Sequence, residues 1–224
     1  MSYFWSTWNY RVFKPWMWLE QKKRKQLPRV VENLERSVED KNRFYAHWTA
    51  LEQVDANGVE GAVVVCGCED SVVGQLASSH DPERRLYIID QFEARKVTIT
   101  RENCQGEVST QEIAIGAVPE EEMRKLTGDA VLLRGKLSER VDEISESVAM
   151  VSIDSVEYDE LEVVLPKMYG KLSPGGIMIV HDYNHNWESV KTAVDRFEAG
   201  IVENFLSIAD MYGSVIMVKN AVRR

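Results

Sequence analysis

Cysteine is scarce in this chain of 224 residues, and Cys66, Cys68 and Cys104 form neither an even set nor a framework spacing. Cys66 and Cys68 stand one residue apart, short of the two-residue gap of a zinc knuckle or redox pair, and read as small residues packed in a strand and its following loop. Long apolar runs are missing too. Nothing approaches the ~20 residues of a membrane span, and nothing near the start combines a basic region, an apolar run and a cleavage site. A cytoplasmic location is expected. Positive charge is in short supply: 27 Lys and Arg face 36 Asp and Glu, for a net charge of −9 and a pI of about 5.1. That balance argues against a nucleic-acid partner, whose phosphates need clustered cations. A G-x-G-x-x-G phosphate loop is absent as well.

What is present is an ordinary globular composition, 44% hydrophobic and 28% charged. Residues 1–57 read as an aromatic and basic segment followed by a helix. Trp5, Trp8, Trp16 and Trp18 precede the run Lys22-Lys23-Arg24-Lys25. Such a start, over residues 1–28, can cap the core, form a homodimer contact, dock a protein, lie on a membrane surface or stay disordered. Residues 29–54 carry apolar side chains at helical spacing. From residue 58 onward, apolar runs at 62–66, 85–89, 130–134, 148–153 and 177–180 alternate with helical stretches at 71–79, 119–126, 137–145, 157–169 and 187–200. Residues 94–111 are polar and poorly periodic, 112–115 is a weak strand, and 205–209 and 215–219 form a closing hairpin around residues 211–213. The expected fold is a doubly wound α/β domain, residues 58–224, with a mostly parallel sheet and helices on both faces.

In such sheets the ligand sits beyond the carboxyl ends of the strands, at the switch in strand order. That rule selects residues 67–70, 90–93, 154–155 and 181–184. Asp90 closes the second strand, where an acid can bind both ribose hydroxyls or serve as a turn residue. Gly67 leaves room for close backbone approach. Glu69 and Asp70 would repel a pyrophosphate, so NAD, FAD and nucleoside triphosphates fit poorly. A phosphate-free, positively charged cofactor, S-adenosylmethionine, fits better. Asp154, His181 and Asp182 close two later strands and could hold Mg²⁺ or another divalent metal that acidifies a substrate hydroxyl, or could cap the following helices. His185 follows His181 by four residues.

Several segments, in order, resemble one family: Val64-Val65-Cys66-Gly67, Asp90-Gln91-Phe92-Glu93, Arg134-Gly135-Lys136-Leu137-Ser138-Glu139, Ser152-Ile153-Asp154, Leu172-Ser173-Pro174-Gly175-Gly176 running on to His181-Asp182-Tyr183, and Asp195-Arg196-Phe197. Over about residues 58–219 the chain resembles the macrocin O-methyltransferase (TylF-like) group of class I S-adenosylmethionine-dependent methyltransferases. The resemblance implies a seven-stranded sheet ending in an antiparallel hairpin. It implies Mg²⁺-dependent methylation of a small-molecule hydroxyl, on a sugar of a natural product. It places the methionine end of the cofactor near Gly67, ribose on Asp90, adenine near Gln91, Phe92 and the Gly135–Ser138 segment, and metal on Asp154, His181 and Asp182, which form the catalytic set.

The chain also departs from that pattern. Family members usually carry an acid at the position of Val65, a Gly-rich or Arg-Gly-Gly loop at Glu69-Asp70-Ser71, an Asp at Val156 and a pair of Asp at His181-Asp182. Two readings follow: an O-methyltransferase acting on a hydroxyl acceptor, or a catalytically inactive methyltransferase-like scaffold that docks through its amino-terminal segment.

Overall fold

The computed structural model describes residues 14–67, 71–102, 107–155, 157–184 and 188–220. Trp5, Trp8, Cys68, Glu69, Asp70, Cys104, Val156 and His185 lie outside the described residues.

Three helices open the described chain: α1 (Trp16–Lys23), α2 (Arg29–Ser37) and α3 (Lys41–Ala56). The periodicity expected a single helix over 29–54. The chain breaks it at Val38, where the backbone turns extended, and Asp40 restarts it by accepting the Arg43 N–H at 3.0 Å. Alternation then follows: β1 (Ala62–Cys66), α4 (Val72–His80), β2 (Leu86–Asp90), a hairpin of β3 (Arg95–Glu102) and β4 (Val108–Ile115), α5 (Glu120–Thr127) and β5 (Val131–Arg134). The second half comprises α6 (Leu137–Arg140), β6 (Val148–Ile153), α7 (Tyr158–Lys171), β7 (Leu172–Val180), α8 (Glu188–Glu198), β8 (Leu206–Ser207) and β9 (Val215–Val218). The helix expected over 137–145 is only α6 and one 3-10 turn at Val141–Glu143.

The main sheet has seven strands in the order β5-β2-β1-β6-β7-β9-β8, parallel except where β9 pairs antiparallel with β7 and β8. The doubly wound sheet with its closing hairpin is therefore as expected. Strand β1 explains the long apolar runs. Its residues are all buried, Val63 and Val65 toward one helical layer and Ala62, Val64 and Cys66 toward the other. The first layer holds α1 to α5. The second holds α7, α8 and the inner side of the hairpin through Val97 and Ile115.

Residues 94–111 had no expected structure, and 112–115 was expected as a weak strand. Both belong to the hairpin, which pairs with itself from Arg95↔Ile115 to Glu102↔Val108 and stands apart from the main sheet. In the opening segment, Trp18 is fully buried and meets Phe44, Tyr45 and Trp48 edge-on at centroid distances of 5.6, 5.4 and 5.2 Å. That part of the segment caps the core. Among the described residues no helix is long and apolar enough to cross a membrane.

Candidate functional site

Strand β1 leads to β2 and β5 on one side, and the chain then returns to β6 on the other, so the order reverses at the β1–β6 boundary. Gly67 stands at that boundary. Its φ is +79°, and a Cβ there would lie 1.9 Å from the Asp154 carbonyl oxygen. Its N–H donates to Ile89 O at 2.9 Å, while the Asp154 N–H donates to Cys66 O at 2.7 Å. Glycine is required here because the loops after β1 and β6 touch, before any ligand is considered.

At the end of β2, Asp90 is 4% exposed, and its Oδ1 accepts the Phe92 N–H at 2.8 Å. That bond holds Phe92 at φ +56°. Arg134 braces the turn, donating to Gln91 O at 3.1 Å with its guanidinium 5.9 Å from the Phe92 ring centroid. The Gly135 N–H donates to Asp90 O at 2.9 Å. One Asp90 oxygen thus serves the turn.

Gly67, Asp90, Gln91 and Gly135 line one cavity, the first three at strand ends and Gly135 where the resemblance put it. Two residues expected there do not line it. Phe92 is buried in the core layer below, and the Ser138 N–H and hydroxyl both donate to Glu160, at 2.8 and 2.9 Å. Arg95, Leu137, Ser155, Glu157 and Glu160 complete the lining. Ser155 was among the strand-end residues and Leu137 lies in the segment the resemblance put near adenine, whereas Arg95, Glu157 and Glu160 were given no site role from the sequence. Arg95, first residue of β3, faces Glu157 at 3.7 Å, and its buried Nε has no hydrogen-bond partner. Beside the Arg95 guanidinium the lining offers three carboxylates and two glycines and no phosphate cradle, which fits a cofactor with hydroxyls and without phosphates. The space is closed, with a cavity volume of about 10 Å³, room for one water. A cofactor pocket needs roughly 300 Å³ or more, so the cavity as it stands does not hold a cofactor.

The second group, Asp154, His181 and Asp182, follows β6 and β7. The expected metal set is not met. His181 is 1% exposed, and both its ring nitrogens are occupied. Nε2 lies 2.9 Å from Ser152 Oγ and Nδ1 2.8 Å from Ser214 Oγ. His47 continues the chain, with Nε2 3.0 Å from Ser152 Oγ and Nδ1 2.8 Å from the Arg43 carbonyl. A carbonyl only accepts, so His47 Nδ1 carries the proton and Ser152 donates to His47 Nε2. Then His181 Nε2–H donates to Ser152, and Ser214 donates to His181 Nδ1. Every proton in this four-member chain has one place. Burial, reinforced by the Arg43 charge, pushes His47 down to about 3 and His181 well below the ordinary imidazole range, so both rings are neutral.

Asp154 is paired with Arg43 of α3, Nη2 to Oδ2 at 2.5 Å. His181 is closed off and Asp154 carries a guanidinium, so two of the three expected ligands are already engaged; the third, Asp182, stands at φ +62°. No cluster of three His, Cys, Asp or Glu able to hold a metal occurs among the described residues. The residues do not fit a divalent cation. Sequence reasoning missed Arg43, His47, Ser152 and Ser214. The signal that could have found the buried chain is Ser152, a lone hydroxyl in an otherwise apolar strand.

Residues 18–215 match the family model of macrocin O-methyltransferase, TylF. No curated protein matches the chain in sequence. Among solved structures, the O-methyltransferase NovP superposes with a TM-score of 0.66 at 21% identity, over 80% of this chain and 80% of that one. The calicheamicin methyltransferase CalS11 gives 0.56 at 16% identity, over 92% and 94% of the chains. The N-methyltransferase NodS from Bradyrhizobium japonicum WM9 gives 0.51 at 12%, over 80% and 97%. At these identities the structures show a shared fold, whereas the family match spans most of the sequence. The chain belongs to the macrocin O-methyltransferase (TylF) family.

Proposed function

We propose that the protein is an S-adenosylmethionine-dependent O-methyltransferase acting on a hydroxyl of a small molecule. The observation that carries this reading is the convergence of Gly67, Asp90, Gln91 and Gly135 on one carboxylate-lined cavity at the reversal of strand order. In this reading Asp90 holds the ribose hydroxyls, and Gln91 and the Gly135–Ser138 segment flank the adenine. The bound cofactor supplies an electrophilic methyl group on a sulfonium. The chain must then place the acceptor oxygen opposite that methyl and remove one hydroxyl proton. With both nitrogens of His181 occupied, that proton passes to Asp154 or Asp182, at the end of β6 or just past β7. NovP is described as an O-methyltransferase and CalS11 as a TDP-rhamnose 3'-O-methyltransferase of calicheamicin biosynthesis. Together with the family, they support a sugar hydroxyl of a natural product as the acceptor.

The closed cavity supports one other reading: a methyltransferase-like scaffold that no longer opens to a cofactor, docking through residues 1–28. Calorimetric titration with S-adenosylhomocysteine separates the two. The enzyme reading expects binding at roughly micromolar Kd, weakened at least about tenfold, or 1.4 kcal/mol, in Asp90→Ala. No heat at any concentration, with the protein folded, would favour the scaffold.

A further inference from the structure

We infer that the acceptor side of this crevice works without a divalent cation, its positive charge supplied by the Arg43 guanidinium held against Asp154. Asp154 has a fixed backbone and a carboxylate already engaged by a cation. Its N–H is tied to Cys66 O, and its carbonyl is pressed against Gly67. Its carboxylate meets Arg43 at 2.5 Å, with the two side chains only 23% and 18% exposed. A pair so largely desolvated interacts far more strongly than a surface ion pair.

The backbone of Arg43 is fixed as well. It sits in the first turn of α3 with its N–H on Asp40, and its carbonyl accepts from His47, the last link of the buried chain through Ser152 and His181 to Ser214. Mg²⁺ or Mn²⁺ needs about six oxygen ligands close to 2.1 Å. To reach Asp154 it would have to displace a permanently charged guanidinium. It would then find Asp182 but no imidazole lone pair. The same polar chain that occupies both His181 nitrogens is thus joined to the backbone of the residue whose guanidinium takes the metal's place.

A guanidinium orients oxygen through planar N–H donors and does not act as a Lewis acid. Resting on the methyltransferase reading, this assigns proton removal to the carboxylates alone and makes Arg43 a positioning residue for the acceptor oxygen.

The test is Mn²⁺ binding followed by electron paramagnetic resonance on the full chain after chelator treatment, with and without S-adenosylhomocysteine. The wild type is expected to show no site tighter than roughly 1 mM. Removing the guanidinium in Arg43→Met, with folding checked by circular dichroism, is expected to strengthen Mn²⁺ binding at least about tenfold, and Arg43→Lys is not. A micromolar site in the wild type that is lost in Asp154→Asn would overturn the inference. So would Mn²⁺ binding unchanged by Arg43→Met in a folded variant. The Mn²⁺ measurement in the absence of cofactor reads out on its own, so a failure of S-adenosylhomocysteine to bind would count against the proposed function and leave the metal result standing.

Discussion

Acidification from pH 7 to pH 5 is expected to destabilise the protein by roughly 4 kcal/mol through two side chains, His47 and His181. Both rings are held neutral in the folded protein by burial in the chain between Arg43 and Ser214. In the unfolded chain each takes up a proton below its ordinary pKa of about 6.5. The unfolded state therefore binds more protons as the pH falls. The stability these two groups contribute is present above about pH 6.5 and is lost progressively toward the folded value of about 3 for His47. Each contributes at most about 1.4 kcal/mol per pH unit inside that window. Glu35, whose pKa is lowered from an already acidic value of 4.5 because Lys14 and Tyr45 outweigh its burial, acts below the interval from pH 7 to pH 5. Urea denaturation at pH 7 and pH 5 measures the effect. His47→Gln should remove about half of the difference. A pH dependence that survives replacement of both histidines would refute the neutral chain.

The second large effect concerns Gly67→Ala. A Cβ at this position meets Asp154 O at 1.9 Å and Asp154 C at 2.9 Å, on a backbone already at φ +79°. The positive φ alone costs a side chain about 1–2 kcal/mol. The collision is with backbone of a central strand end and has no soft route of relief, so the total should reach roughly 3 kcal/mol or more. Gly58 provides the control. Its φ is +62°, yet nothing lies within 4 Å of its Cβ position, so Gly58→Ala should show the strain without the collision. Equal losses of stability in the two variants would show that β1 and β6 do not touch as described. Where Gly67→Ala remains folded, the displaced Asp154 loop should also weaken S-adenosylhomocysteine binding.

The architecture was readable because strands such as Ala62–Cys66 and Val148–Ile153 are buried along their whole length and so appear as unbroken apolar runs. The ends of those runs were enough to pick out Gly67, Asp90 and Gln91, whereas Gly135 came from the family resemblance. The β3–β4 hairpin escaped because it pairs with itself and its sequence is dominated by charged and hydroxyl residues, with Val97 and Ile115 reaching the core. Arg95 was lost with it. The misreading of His181 has a different origin. Position at a strand end is shared by ligands and by buried partners, and what decides between them is Ser152, Ser214 and His47, brought together by β6, β9 and α3. His47 itself sits among Tyr45, Trp48 and Leu51 on a helix read only for its apolar face. Arg43 and Asp154 are 111 residues apart, and no local pattern announces such a pair.

The central claim is that a cofactor occupies the crevice at the carboxyl ends of β1, β2, β5 and β6 once the cavity opens. Hydrogen–deuterium exchange with and without saturating S-adenosylhomocysteine tests it most directly. The account expects added protection in the turns around Gly67, Asp90 and Gly135, together with altered exchange across residues 95–115. Unchanged exchange in all three turns, or protection confined to another face of the molecule, would contradict it.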